Sequence, residues 1–141
     1  MKCVAVTPEK TIVDRETKFV VVPLYDGEYA IGVGHTPVVG RLGAGELRLT
    51  LEDDSVERWY VEGGFVEAAN DVVSLLTTRA CKFSELDLNE AKQALNDALN
   101  RPATSPELRE LKTKAVATAR ARVRAAEKSR STLTAGSQRA N

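Results

Sequence analysis

Residues that build catalytic and metal sites are scarce in this sequence. Its 141 positions hold one histidine, two cysteines and 5% aromatic residues. Cys3 and Cys81 form no CxxC pair and lie far from the histidine, so the ligand spacing of a zinc site is missing. His35 has no carboxylate within six positions on either side, whereas a histidine that acts as a general base needs a group to orient it. We therefore expect no catalytic residue, no metal site and no cofactor.

Long hydrophobic runs and targeting signals are also missing. The longest apolar run, residues 19–23 with its neighbours, is much shorter than the roughly 20 residues of a membrane-spanning helix. The first residues, "MKCVAVTPEK", contain no apolar signal region and no arginine-rich transit segment. We expect a cytosolic or membrane-peripheral protein in which both cysteines are free, buried thiols.

Glycine, by contrast, is concentrated in one stretch. Five of the nine glycines lie in "YAIGVGHTPVVGRLGAGEL", residues 29–47. A dinucleotide-binding loop would need a third glycine where Pro37 stands, and a P-loop would need a following Gly-Lys-Ser/Thr, which this stretch does not have. The glycines are typical of consecutive tight turns instead.

The pattern of apolar residues changes near residue 85. Before it, short runs rich in Val, Thr and Leu are separated by turn signals, which indicates an antiparallel β-sandwich or a flattened barrel. Leu47, Leu49 and Leu51 alternate with polar residues, so one face of that strand should be dry. After residue 85 the period is helical, with Asp87 and Ser105 as suitable N-caps of two helices that form a hairpin. The sequence predicts a sandwich domain at residues 1–84 and a helical hairpin at 85–130. The two helices of the hairpin are expected at 87–101 and 106–130, and a disordered tail at 131–141.

The net charge of zero hides a division between the two parts. Residues 1–84 carry nine Lys and Arg against thirteen Asp and Glu, a net charge of −4, and residues 85–141 carry eleven against seven, a net charge of +4. Residues 109–130 contain eight basic residues and only two acidic ones. This segment is a solvated helix face or a surface that docks onto an acidic protein. Nucleic acid is a weaker third reading, because the helix has no interleaved aromatic residues.

Four motifs in order resemble a known family, the epsilon subunit of the bacterial rotary ATP synthase. The family carries runs close to "GE-x-GI-x-PGH-x-P-L", "PGEL", "SGGF-x-E" and "LD-x-x-RA". Here these are "GEYAIGVGHTPVV", "GAGEL", "EGGFVEA" and "LDLNEA", with matching order and spacing over about residues 2–130. The resemblance implies a sandwich of about ten strands carrying a two-helix hairpin. It also implies a noncatalytic rotor subunit, peripheral to the cytoplasmic side of the bacterial inner membrane, that couples proton-driven rotation to ATP synthesis.

The resemblance also implies partners for particular residues. Glu28, His35 and Pro37 would face the c-ring or the gamma subunit. In the family the hairpin extends along gamma and inhibits ATP hydrolysis by meeting acidic segments of the beta and alpha subunits. The residues of this chain that would do so are the basic residues Arg109, Lys112, Arg120, Arg122 and Arg124.

Two departures from the family pattern bear on function. Val33 and Ala44 stand where the motifs have proline, so these turns are less rigidly preset. Leu86, Asp87 and Ala91 match the ATP-binding motif that the family has at the hairpin. The motif also has an arginine and a second basic residue, and Glu90 and Asp97 stand at those two positions here. Because carboxylates repel phosphates, we expect this chain to bind ATP poorly or not at all.

Two other function classes stay open at this point. One is a freestanding β-sandwich adaptor whose basic hairpin binds another acidic protein. The other is an enzyme that uses His35, and it predicts that replacing this residue abolishes a turnover, whereas a rotor subunit would lose only assembly or coupling.

Overall fold

Alternating apolar and polar residues build nine strands in residues 1–82. The computed structural model describes the backbone of residues 1–139 and the side chains of residues 1–131. It divides into two compact units, Met1–Lys82 and Phe83–Asn141. The strands of the first unit are β1 to β9, at Lys2–Val6, Thr11–Leu24, Gly27–Gly32, Val38–Arg41, Ala44–Leu51, Val56–Glu62, Phe65–Ala69, Val72–Leu76 and Arg79–Lys82. The expected sandwich has nine strands instead of about ten.

The long strand β2 belongs to both layers of the sandwich. Its first half pairs with β1 in layer A, which has the order β4-β7-β8-β1-β2. Its second half pairs with β3 and β5 in layer B, which has the order β3-β2-β5-β6-β9. The register shifts between Thr17 and Phe19, where the strand passes from one layer to the other. The pairs are antiparallel as expected, except that β1 and β8 run parallel.

The core of the first unit comes from one face of each strand. Leu47 and Leu49 on β5 are fully buried while Arg48 between them points outward, which confirms the dry face predicted for this strand. Val20 and Val22 of β2 and Trp59 of β6 belong to the same cluster. Cys3 and Cys81 form no disulfide. Cys3 is fully buried as expected, whereas Cys81 is only half-buried.

The second unit is the expected helical hairpin. A short 3₁₀ helix, Phe83–Glu85, precedes α1, Leu88–Leu99, and α2, Pro106–Arg139. Asp87 Oδ1 accepts a hydrogen bond from the backbone N–H of Glu90 at 3.0 Å, and Ser105 Oγ accepts one from Leu108 at 3.1 Å. Both predicted N-caps are therefore present.

The end of α2 differs from the expectation. The sequence predicted a helix to residue 130 and a disordered tail over 131–141, whereas α2 continues to Arg139. The Ser- and Thr-rich composition of this segment is only a weak preference against helix, and no proline interrupts it. The last two residues of the predicted tail lie outside the described residues.

Candidate functional site

Glu28 reaches across β2 to an arginine on β5. Glu28 is opposite Pro23, and Val21, two residues earlier on β2, is opposite Arg48. Because residues two apart on a strand share a face, Glu28 and Arg48 lie on the same side of layer B. Arg48 Nη2 donates to Glu28 Oε2 at 2.9 Å, and Nη1 donates to Oε1 at 3.4 Å. This bidentate contact fixes the orientation of the Glu28 carboxylate.

A second and more buried ion pair continues from the first. The side chain of Glu46 is only 6% exposed, and its carboxylate accepts from Arg58 at 3.0 and 3.2 Å and from Arg48 at 3.3 Å. The hydrogen bond to Glu28 raises the pKa of the Arg48 guanidinium above its usual value. The face therefore presents two carboxylates balanced by two guanidiniums, and Glu28 is the most exposed of the four, at 55%.

The loop after β3 is a tight turn. The backbone N–H of His35 donates to the carbonyl oxygen of Gly32 at 3.2 Å, and Gly34 has a φ of +81°. These are the features of a type II turn, in which glycine is favoured at the third position and proline at the second, here Val33. The expected tight turn is confirmed at this position.

The His35 ring is held by its own backbone neighbourhood. Nδ1 lies 2.9 Å from the carbonyl oxygen of Thr36, and since a carbonyl only accepts, this contact makes Nδ1 the donor. Nε2 is then an acceptor, and it is buried without a hydrogen-bond partner among the described residues. Asp71 comes close to this turn, where its Oδ1 accepts a hydrogen bond from the backbone N–H of Gly34 at 3.2 Å.

Glu28 and His35 belong to opposite ends of β3. Gly32, the residue that opens the His35 turn, is four positions along the strand from Glu28. This corresponds to roughly 13 Å at the usual rise per residue. Each end also carries an exposed apolar side chain, Tyr25 at 71% and Val33 at 66%. The two candidate contact points therefore lie at opposite ends of one strand.

The five basic residues predicted on α2 do not share one face. At 100° per residue, Arg109, Arg120 and Arg124 fall within about 60° of each other, and all three are exposed. Lys112 lies beside them and is half-buried. Arg122 is on the opposite side, where it lines a cavity against α1. Of the five, the exposed residues that share one face are therefore Arg109, Arg120 and Arg124, with about 16 Å of helix between the first two.

The remnants of the ATP-binding motif have structural contacts. Asp87 is the N-cap of α1 through its bond to Glu90, and Ala91 is fully buried in the second unit. Leu86 lines a cavity of about 260 Å³. Glu90 is exposed, and Asp97 accepts a hydrogen bond from the glutamine one turn earlier at 2.9 Å.

A larger cavity of about 480 Å³ lies between α1 and α2. Its lining combines Asp97 with three cations, Arg101, Lys114 and Arg122. An anion placed there would meet a carboxylate together with the basic groups, so the site is mixed in charge.

Three residues near the candidate contacts were missed by the sequence reasoning. Arg48 alternates with buried leucines, which signals an outward side chain. Tyr25 is an aromatic residue in a turn signal, "YDGE", and Asp71 closes another, "AND". The sequence does not show which of these turns and strands meet, because the register of distant strands sets their neighbours.

Two other features, a membrane-spanning helix and a metal-binding cluster, are missing from the described residues. No helix in the described part of the chain is both long and apolar enough to cross a membrane. Within the same residues, no group of three or more His, Cys, Asp or Glu side chains is placed to hold a metal ion.

Comparison with known proteins gives a consistent family. Residues 1–83 match the family model described as "ATP synthase, Delta/Epsilon chain, beta-sandwich domain". An ATP synthase epsilon chain from Rhodopirellula baltica is 45% identical over 89% of this chain and 97% of its own length. The epsilon chain from Carboxydothermus hydrogenoformans is 35% identical over 73% of this chain and 76% of its own.

Solved structures share the fold at low identity. A chain of the Euglena gracilis mitochondrial ATP synthase, in a structure of its OSCP, F1 and c-ring, superposes with a TM-score of 0.71 at 21% identity, over 84% of this chain and 76% of that one. A chain of the Tetrahymena thermophila central stalk and c-ring superposes with a TM-score of 0.69 at 16% identity, over 89% and 96%. With the sandwich, the hairpin and the sequence matches together, the chain belongs to the family of ATP synthase epsilon chains, which are noncatalytic subunits.

Proposed function

We propose that this chain is a central-stalk subunit of a proton-driven ATP synthase that couples rotor rotation to catalysis. The observation that carries the proposal is the 45% identity to an epsilon chain over 97% of that relative, which includes both sandwich and hairpin. The solved neighbours, titled as F1 with c-ring and as central stalk with c-ring, support the same assembly. In it the chain would lie peripherally at the cytoplasmic face of the bacterial inner membrane.

The gamma subunit and the c-ring are the partners that we assign to the two ends of β3. Glu28, with exposed Tyr25 beside it in sequence, offers an acidic contact that Arg48 holds in place. The turn that bears His35 and Pro37 offers a second contact roughly 13 Å away along the strand. An interface of ordinary size, about 800 Å² per partner, is wide enough to include both points. One partner can therefore contact both, or each point serves a different partner.

The first test is assembly. The full chain should co-purify with the gamma subunit and c-ring of the same organism, and Glu28→Gln should weaken retention on the c-ring. Glu67→Gln is the matched control, because Glu67 is an exposed carboxylate on β7 of layer A. Equal effects of the two substitutions would contradict the role of Glu28, and failure of the unaltered chain to bind gamma would contradict the proposed function.

Inhibition of ATP hydrolysis is the second part of the proposal. Its support is the exposed stripe of Arg109, Arg120 and Arg124 on α2, which is suited to an acidic surface of the beta subunits. Truncation after residue 86 should raise hydrolysis by the reconstituted complex. The pair Arg120→Gln and Arg124→Gln should raise it as well.

The control for charge is the pair Lys92→Gln and Arg101→Gln. Both residues are exposed and lie in the second unit outside α2, so the pair removes the same net charge. If truncation leaves hydrolysis unchanged, inhibition by the hairpin is wrong; if both double variants act equally, the basic stripe has no special part in it.

We also infer that ATP does not bind at the hairpin. Glu90 and Asp97 place negative charge where the motif has cations, and the cavity between the helices includes the Asp97 carboxylate. Leu86, Asp87 and Ala91 would then be structural remnants. Equilibrium dialysis that returned a submillimolar dissociation constant for MgATP would contradict this inference.

A further inference from the structure

The type II turn at Gly32–His35 lacks a local device that would fix its second residue. Proline is favoured at that position because its ring presets φ near −65°. Val33 occupies it here, with its side chain 66% exposed. A valine leaves φ freer to vary in the open form of the turn than a proline would. Besides the bond from the His35 amide to Gly32, the closed form therefore benefits from a contact elsewhere in the fold.

Such a contact comes from the hairpin that joins β7 and β8. Its two-residue loop consists of Asn70 and Asp71, with φ values of +53° and +59°, as in a type I′ turn. Glycine is favoured at the second of these positions, and a side chain there has a steric cost. Asp71 occupies it nevertheless, and its Oδ1 accepts a hydrogen bond from the Gly34 amide at 3.2 Å.

The backbone of Asp71 is itself anchored. Its carbonyl oxygen accepts from the amide of Lys2 at 2.9 Å, at the start of β1. β1 and β8 are paired in parallel over Lys2–Val6, so the Asp71 carboxylate projects from a part of layer A that is tied down by strand pairing. A non-glycine residue in the left-handed conformation has a steric cost, and such residues often have a functional side chain.

We propose that Asp71 is a positioning residue for the His35 turn. Its carboxylate holds the Gly34 amide, which keeps the turn closed and fixes where Val33, His35 and Pro37 are presented to a partner. The positioning itself is a property of this chain; its consequence for assembly rests on the proposed function.

Four variants of the full chain test the proposal. Asp71→Gly removes the acceptor and relieves the steric cost of the left-handed loop, so the hairpin should fold normally. Asp71→Asn keeps an oxygen acceptor and tolerates the same backbone conformation. Val33→Pro presets the turn locally, and the double variant Val33→Pro/Asp71→Gly asks whether local restraint replaces the carboxylate.

The direct measurement is amide hydrogen exchange by NMR. In Asp71→Gly, exchange of the Gly34 and His35 amides should be roughly two- to twelvefold faster, the factor expected for loss of one hydrogen bond. Asp71→Asn should retain most of the protection at both amides. The double variant should recover it at His35, which donates to Gly32, but not at Gly34, which has lost its acceptor. The amides of β7 and β8 should be unchanged in all four, which shows that the fold is intact.

A second measurement addresses assembly. Affinity for gamma or the c-ring should fall in Asp71→Gly by about the same factor as the fraction of molecules whose turn is closed. The double variant Val33→Pro/Asp71→Gly should restore the affinity. Unchanged exchange at His35 in Asp71→Gly would overturn the positioning role, because the bond from the His35 amide to Gly32 is the one that closes the turn. Faster exchange with full affinity would overturn its part in assembly, whereas absence of binding by the unaltered chain would count against the proposed function only.

Discussion

Gly64 is the residue with the strictest backbone requirement among the glycines. Its φ is +99°, and a Cβ built on it would collide with the carbonyl oxygen of Leu76 on the neighbouring strand. Gly63 before it also has a positive φ, of +66°, but a Cβ there would approach nothing closer than 3.6 Å. Substitution of Gly63 therefore tests the cost of a left-handed conformation alone, and substitution of Gly64 adds the cost of a steric clash.

Gly64→Ala should therefore destabilise the sandwich by roughly 4 kcal/mol or prevent folding. Gly63→Ala should cost about 1–2 kcal/mol, since it carries only the left-handed penalty. Urea unfolding followed by fluorescence of Trp59, the single tryptophan, measures both. Equal losses in the two variants would contradict the clash.

Because the Cys3 thiol is buried, we expect the protein to lose stability at alkaline pH. Burial raises the pKa of its thiol from the usual 9.0 to about 12. Above pH 9 the unfolded chain releases this proton while the folded chain keeps it, so stability falls as pH rises toward 12. Each pH unit in that window corresponds to about 1.4 kcal/mol.

The variant Cys3→Ala should remove this part of the alkaline slope. Urea midpoints at pH 7, 9, 10 and 11 for the two proteins give the difference, and groups common to both cancel. Identical slopes would mean that the thiol titrates in the folded state as it does in the unfolded chain.

At the scale of the element, the hairpin is held mainly by small side chains. Ala91, Ala98, Ala119 and Ala126 are each less than 5% exposed, and an alanine buries little apolar area. A polar contact therefore contributes a larger share of the stability here. Ser129 Oγ donates to the carbonyl oxygen of Phe83 at 2.7 Å, and the residue is 2% exposed.

Ser129→Ala should lower the stability of the hairpin by about 0.5–1.5 kcal/mol, the usual net value of one buried hydrogen bond. Ser131→Ala is the matched control because Ser131 is exposed on the same helix. Loss of helical circular dichroism in urea measures both. An equal effect of the two substitutions would show that the bond to Phe83 adds nothing.

Elements whose signals are local could be predicted from the sequence. The N-caps Asp87 and Ser105 bond to backbone three residues away, and the alternation along β5 needs only its own residues. The contacts of the candidate site are different in kind. Arg48 meets Glu28 across 20 positions, and Asp71 meets Gly34 across 37, so both depend on strand register that periodicity does not encode. The distance between Glu28 and the His35 turn also could not be predicted, because it depends on where β3 begins and ends.

At the scale of the whole molecule, the two units should differ in their independence. The sandwich has its own core, of which Leu47 and Trp59 are members, whereas the hairpin depends on alanine packing. We expect a fragment of residues 1–84 to unfold cooperatively, with Trp59 fluorescence close to that of the full chain. A fragment of residues 83–141 should lose its structure at a lower urea concentration than the sandwich fragment. Circular dichroism and fluorescence of the two fragments check this, and a sandwich fragment that fails to fold would contradict it.

The shared strand β2 has a mechanical consequence. It is 14 residues long, roughly 46 Å of continuous backbone, and it is hydrogen-bonded in layer A over its first half and in layer B over its second. A shear that would slide one layer over the other must therefore deform a covalent chain that is clamped at both ends. Within a rotating stalk, such a strand would let the sandwich transmit torque as a stiff body, with little elastic energy lost between its faces.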